Sequence, residues 1–208
     1  MDCLIEAHFL PSLEYFCALQ RFETIIIEKH EHLIKQSYRN RCYILTSQGR
    51  ERLTIPLIAT HQEIRITDVQ VDYSRRWQTN FLRTLDSTYA NSPYYEHYVA
   101  DLKKEIRIGY KYLYELNVHL LSMCLQWLKW DHTISESVSY EKNPPLEIKD
   151  LRSLISHKKD YSMRKFYDPQ PYQQVFGSNF VPNLSLIDLM FCEGPHSRAL
   201  VKASQKKN

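Results

Sequence analysis

Apolar and polar positions along this chain fall into three regimes. In the first quarter the apolar residues come in short runs. Residues 3–7 form a short, mostly apolar run, and "TIIIEK" is β-branched, the mark of a buried strand. Between them "PSLEYFCALQRF" places Leu13, Phe16, Cys17 and Gln20 on one helical face, with Pro11 suited to the first turn. Strand, helix and strand this close together predict a βαβ unit with a parallel pair. "RCYILT", the turn "SQGR" and "RLTIPLI" predict a β-hairpin. "EIRITDVQVD" alternates through Ile64 and Ile66, breaks near Asp68 and resumes at Val69 and Val71, which predicts a half-buried, bulged strand.

The middle is helical. Trp77, Phe81, Leu85 and Tyr89 form one stripe. Ser92 then suits an N-cap and Pro93 a first helical position, and Tyr95, Tyr98, Leu102 and Ile106 form the next inner face, closed by Gly109. A third helix carries Leu113, Leu116, Leu120, Cys124, Trp127 and Leu128, with Asn117 on the same face. A buried amide needs partners, so Asn117 either pins the fold or borders a site. Residues 132–180 lose the period: "SESVSYEKNPP" reads as a loop, "IKDLRSLI" as a short helix or strand, and "YDPQPYQQVFGSNFVPN" as a Pro- and Tyr-rich loop. "NLSLIDLMFCEGP" closes the pattern as a short helix, with Ser185 and Asp188 spaced as a capping box and Gly194 and Pro195 as its stop. The expected fold is α/β: a small mixed β-sheet with an N-terminal βαβ unit and a β-hairpin, packed against a helical middle section. One domain is expected over residues 1–200, with 201–208 a flexible tail.

Composition narrows the function. With 208 residues, 43% of them hydrophobic, the chain can bury a full core. Its 27 basic and 24 acidic residues nearly balance, so nucleic acid is not an expected partner. Cys3, Cys17, Cys42, Cys124 and Cys192 are odd in number and widely spaced, which argues against a disulfide framework or a zinc ribbon and for reduced thiols in the cytoplasm. The N-terminus lacks a basic n-region, and no apolar run approaches the ~18 residues of a membrane span. There is no phosphate-binding glycine loop, no dinucleotide pattern and no nucleophile elbow, so no cofactor is expected and any donor arrives already activated.

The densest chemistry lies in "KHEHLIKQSYRNR", residues 29–41. Lys35, Arg39 and Arg41 suit a phosphate, and Gln36 and Asn40 suit sugar hydroxyls or a base edge. His30, flanked by Glu28 and Glu31, has the make-up of a general base with an orienting carboxylate. The bland alternative is a solvated loop whose ion pairs contribute about 0–1 kcal/mol each. The stretch follows a buried strand, where ligands bind in open α/β sheets. His30 and His32 would share a side of a strand, with His8, His61 or Asp188 as a third ligand, but no spacing selects them and a metal is not expected. Asp188 has a capping role open to it. Glu193 sits at a helix C-terminus, where an anion is disfavoured, so it wants a ligand or a partner such as Arg39 or Arg41. The central tyrosines, among them Tyr89, Tyr94, Tyr95 and Tyr98, read as packing or as a stacking wall; Tyr167 and Tyr172 read as a lid.

"HFLPSLEYF", "IEKHEHLIKQSYRNRC", "YANSPYYEHY" and "FVPNLSLIDLMFCEGP", in that order, are similar to the motifs of the WbqC-like protein family, with a likeness running from about residue 3 to residue 200. The chain departs from the family at Leu33, where an aromatic is usual, and at His8 and Phe9, where Tyr or Pro often stands. The resemblance implies a cytoplasmic bacterial protein linked to surface-polysaccharide (O-antigen) or envelope assembly, and carries no catalytic assignment. With the polar cluster, the expectation is a group-transfer enzyme of acyl or aminoacyl type acting on a nucleotide-activated or amino sugar. His30, Glu28 and Glu193 would be catalytic. Lys35, Gln36, Arg39, Asn40, Arg41, Asn183 and Asp188 would hold a phosphate-containing ligand, a nucleotide sugar. The alternative is a non-catalytic anion-binding assembly protein. RNA binding ranks below both, and the oligomeric state is open.

Overall fold

The computed structural model describes residues 1–58, 63–158 and 164–207. β1 (Asp2–Glu6) is followed by α1 (Leu13–Leu19) and β2 (Thr24–Glu28), and the two strands pair in parallel from Asp2 opposite Thr24 to Glu6 opposite Glu28. This is the βαβ unit the pattern predicts. α1 is buried on every side rather than on one face, and Pro11 lies before its N-cap, Ser12. Burial all round is tolerable because the one acid, Glu14, takes the buried Arg164 guanidinium. The helix is stitched to a distant segment: Leu13 N–H donates to Leu184 O (3.0 Å), and Leu186 N–H donates to Pro11 O (2.9 Å).

β3 (Arg41–Thr46) and β4 (Gly49–Thr54) form the hairpin as a separate antiparallel sheet, with Ser47 and Gln48 as its two-residue turn. β4 stops before Pro56, which has no N–H to continue a ladder. The stretch expected to be a bulged strand is instead a 3₁₀ turn, Ile66–Asp68, with single bridges at Arg65 and Gln70. Ile66 and Val69 are both buried, and a spacing of three suits a 3₁₀ turn better than a pleat.

α2 (Trp77–Tyr89), α3 (Tyr95–Ile108) and α4 (Leu113–Trp127) follow. α2 buries Trp77, Phe81, Leu85 and Tyr89 as its stripe requires. Ser92 does not cap α3: its hydroxyl donates back to Tyr89 O (2.7 Å), and Tyr94 is the N-cap. Gly109 ends α3 at φ 77°.

β5 (Thr133–Glu136) then pairs with β2 and β6 (Ile148–Asp150) with β1, giving a parallel sheet in the order β5-β2-β1-β6. α5 (Leu186–Glu193) has Ser185 as N-cap, but the Ser185 hydroxyl donates to Leu10 O (2.8 Å), so the expected capping box with Asp188 does not form. A last helix, α6 (Ser197–Ala203), stands where the flexible tail was expected to begin. Val201 is buried, and Gln205 Nε2 donates to Cys17 O (3.1 Å), so the chain end packs onto α1. Among the described residues no helix is long and apolar enough to cross a membrane.

Candidate functional site

Parallel pairing brings the carboxyl ends of β1, β2 and β6 to one edge of the sheet, and each ends in a carboxylate: Glu6, Glu28 and Asp150. Arg152 clasps two of them. Its Nη1 donates to Glu28 Oε2 (2.9 Å), and its Nε and Nη2 donate to Asp150 (3.0 and 2.9 Å). Ser153, next in the chain, adopts φ 58°, a conformation disfavoured for a side chain with a Cβ. That turn aims its amide at Glu6, with Ser153 N at 3.0 and 3.2 Å from the two carboxylate oxygens.

Glu6 is 1% exposed and meets three partners of different kinds. Besides the Ser153 amide, its Oε1 lies 3.2 Å from His8 Nε2 and 3.7 Å from Arg39 Nη2. Burial pushes its pKa up, but the His8 hydrogen bond and the charges of His8 and Arg39 outweigh burial and hold it at about 2. Glu6 is therefore an anion, and the His8 nitrogen facing it carries the proton. Burial also lowers the His8 pKa, which keeps the imidazole neutral near pH 7. In that tautomer Nδ1 bears the lone pair. Nδ1 is buried with no hydrogen-bond partner among the described residues. Tyr15 and Tyr38 hold the ring on either side, with centroids at 4.8 and 5.3 Å. The Tyr38 hydroxyl is also buried without a hydrogen-bond partner among the described residues. Buried polar atoms without a protein partner are uncommon, and an ordered water, an ion or a ligand can meet them.

Arg39 is fixed by a two-pronged pair with Glu31, Nε to Oε1 at 2.7 Å and Nη2 to Oε2 at 2.5 Å. Its backbone carbonyl accepts from Asn117 Nδ2 (2.7 Å), so Asn117 pins α4 to the cationic stretch. Glu6, His8, Tyr38, Arg39 and Ser153 wall a cleft of about 190 Å³, with Lys35, Gln36, His157 and Lys158 at its margin. The His157 pKa is lowered by burial and by Arg41, Lys158, Arg50 and Arg52, which marks a cationic rim. The volume is below the ~300 Å³ usual for a whole ligand, so the cleft has room for only part of one.

Of the residues singled out in the sequence, the cleft gathers Lys35, Gln36 and Arg39. Glu28 and His30 lie beside it in another arrangement. Glu28 accepts from the His30 backbone N–H (2.8 Å), from Ser137 Oγ (2.8 Å) and from Arg152, and does not bond the His30 ring. That ring reaches Ser137 O through Nε2 (3.1 Å). Arg41 opens β3, and Asn40 Nδ2 donates to Ile55 O (3.1 Å). Asn183 Oδ1 caps α1 by accepting from Glu14 N (2.8 Å). Asp188 is fully buried, accepts from the Tyr89 and Tyr172 hydroxyls (2.5 Å each), and has its pKa raised by burial. Tyr172 is thereby latched rather than a free lid, and the Tyr167 hydroxyl accepts from Asn183 N (3.1 Å). Glu193 pairs with Gln173 N and His196 Nδ1 (3.3 Å each), not with Arg39 or Arg41. Among the described residues no group of three His, Cys, Asp or Glu is placed to hold a metal; His61 lies outside them. Sequence reasoning passed over Glu6 and Tyr38, and named His8 only as a possible metal ligand and as a departure from the family. The available signal was Glu-x-His at the carboxyl end of the first strand, the same topological position that drew attention to residues 29–41.

The model of the WbqC-like protein family matches residues 6–159, which include every residue lining this cleft. The uncharacterized protein Rv1507c of Mycobacterium tuberculosis is 24% identical over 224 aligned positions, covering 92% of this chain and 93% of that protein. No solved structure matches the chain.

Proposed function

The chain belongs to the WbqC-like protein family, and from that premise we propose that it is a group-transfer enzyme of acyl or aminoacyl type, acting on a phosphate-bearing amino sugar such as a nucleotide sugar. The observation that carries the reading is the buried Glu6–His8 pair with its open Nδ1. In this reading His8, rather than His30, is the general base. The acceptor amine attacks the carbonyl of an activated ester or thioester donor, and Nδ1 takes the amine proton. The new C–N bond forms, the bond to the leaving group breaks, and His8 returns the proton to that leaving group. Glu6 stabilises the imidazolium formed on the way, and the Tyr38 hydroxyl supplies a hydrogen bond to the carbonyl oxygen. The rim of Lys35, Arg41 and Lys158 holds the phosphate. The five free, buried thiols suit a reducing compartment and support a cytoplasmic setting.

The test couples binding to turnover. Inorganic phosphate and uridine diphosphate amino sugars are screened by thermal shift, then combined with acyl-CoA thioesters under a free-thiol readout. A ligand at ~100 times its Kd stabilises by about 2.7 kcal/mol, a Tm rise of roughly 5–10 °C for this size. His8→Gln should keep the shift and lose thiol release by about 100-fold or more. Binding without turnover on any activated donor would favour the anion-binding assembly protein. No stabilisation by any phosphate compound would sink both readings.

A further inference from the structure

A second cleft, of about 510 Å³, opens where the end of α2 and the link to α3 face the loop at 173–176, and it shares no lining residue with the first. Among the described residues no charged side chain lines it. Its polar groups are hydroxyls and amides: Thr88, Ser92, Asn91 and Gln173 among them. Val175 and Phe176 supply an apolar wall. A hydroxyl can donate and accept, and a carboxamide offers both functions at fixed geometry. Such a lining matches a ligand that presents donors and acceptors in equal measure, carries no charge and has one apolar face.

The walls are built in advance. Gln174 ties the loop by a reciprocal pair, its Nε2 donating to Val181 O and its Oε1 accepting from Val181 N, at 2.8 Å each. Gln173 N–H donates to Glu193 Oε1 (3.3 Å), which fastens the loop to the end of α5. The opposite wall is fixed because Tyr94 N–H donates to Phe191 O (3.0 Å). Thr88, 6% exposed as a residue, lines this cleft with its side chain. An uncharged cleft whose walls are tied by these hydrogen bonds is preorganised for a ligand.

We infer that this second cleft binds an uncharged saccharide, the sugar hydroxyls meeting Thr88, Asn91 and Gln173 and the apolar ring face lying on Phe176. The volume accommodates one or two sugar rings, and a phosphorylated sugar is disfavoured because no cation lines the wall. The site is independent of the phosphate-bearing substrate proposed above.

Saturation-transfer NMR on the full chain tests it, using methyl β-D-glucoside and N-acetyl-D-glucosamine, with glucose 6-phosphate and a capped alanine tetrapeptide as comparators. The neutral sugars should receive saturation and the comparators should not. Thr88→Val and Asn91→Ala should each weaken the neutral sugar about fivefold, as loss of one hydrogen bond does, and Phe176→Ala should do so at least as strongly. Asn91 is exposed and Phe176 half-buried, so their variants keep the fold even if Thr88→Val does not. Inorganic phosphate should leave the sugar signal unchanged, which separates this site from the cationic cleft. Saturation of the tetrapeptide in place of the sugars, sugar signals indifferent to Asn91→Ala and Phe176→Ala, or no sugar signal at all would overturn the inference.

Discussion

His8 and His30 both stand near a glutamate two residues away, and the difference between them lies in which atom that glutamate meets. Glu28 is spent on a backbone N–H, whereas Glu6 meets the ring of His8 and leaves the other ring nitrogen open. Spacing alone cannot separate the two cases, because Glu-x-His at the end of a strand allows either. Hence Lys35, Gln36 and Arg39 were legible as cleft residues from the density of polar groups, while the open ring nitrogen of His8 was not. The distinction makes a titration prediction. Glu6 has a folded pKa of about 2 against an ordinary value of 4.5, so it stabilises fully above pH 4.5 and that contribution fades as pH falls towards 2. It amounts to ~3 kcal/mol in order of magnitude. His8 is lowered below 6.5, so the unfolded chain binds its proton first; stability is whole above pH 6.5 and declines as pH falls below it. Urea unfolding at stepped pH should show both limbs. His8→Gln should remove the upper limb and shrink the lower one, because the His8 hydrogen bond helps hold Glu6 low; Glu6→Gln should remove the lower limb, and an unchanged slope in either variant would break the assignment.

At the scale of elements, the helices of the middle were readable because a stripe repeating every three to four residues over a dozen positions has one interpretation. β5 and β6 have four and three residues and half-exposed side chains, so they carry no pattern and exist because β2 and β1 offer them edges. α1 shows the same dependence from the other direction. Its N-cap serine makes no side-chain cap, and Asn183, far along the chain, supplies the missing acceptor. Asn183→Ala should lower stability by about 1–2 kcal/mol, a helix-cap loss at a fully buried site. Asn183→Asp, which keeps the acceptor, should recover part of it; equal loss in both would mean that packing rather than capping is at stake. The end of α5 is constrained by shape. Gly194 has φ 51°, and a Cβ there would lie 2.4 Å from Tyr94 Cδ1 and 2.5 Å from Cγ. The near edge of a ring cannot swing away as a flexible tip does, so Gly194→Ala should cost roughly 1–3 kcal/mol by chemical denaturation. Tyr94→Ala in the same background should relieve part of that cost.

On the scale of the molecule, three strands far apart in sequence end together, and the charges at their ends are coupled only because the sheet is parallel. Arg152 is the joint: it spans from Asp150 on the edge strand to Glu28 on β2, across the end of β1 between them. Glu28 is fully buried, so an Arg152→Met chain leaves a buried carboxylate holding only the His30 amide and the Ser137 hydroxyl. Removing one partner of a buried pair typically costs ~3–5 kcal/mol; the partial exposure of Arg152 and the remaining donors put this case nearer 2–3. The loss should also be local before it is global. The three-residue β6 has little else to hold it, and Ser153, whose amide binds Glu6, follows directly. Hydrogen exchange on Arg152→Met should therefore show protection falling first at residues 148–153, with the pairing of β1 and β2 retained. Loosening Ser153 frees one donor from Glu6, so the Glu6–His8 pair should be disturbed while Lys35 and Lys158 at the cleft margin stay in place. A uniform drop in protection across all four strands would mean that Arg152 braces the whole sheet, and that the cleft owes its shape to the sheet rather than to this one clasp.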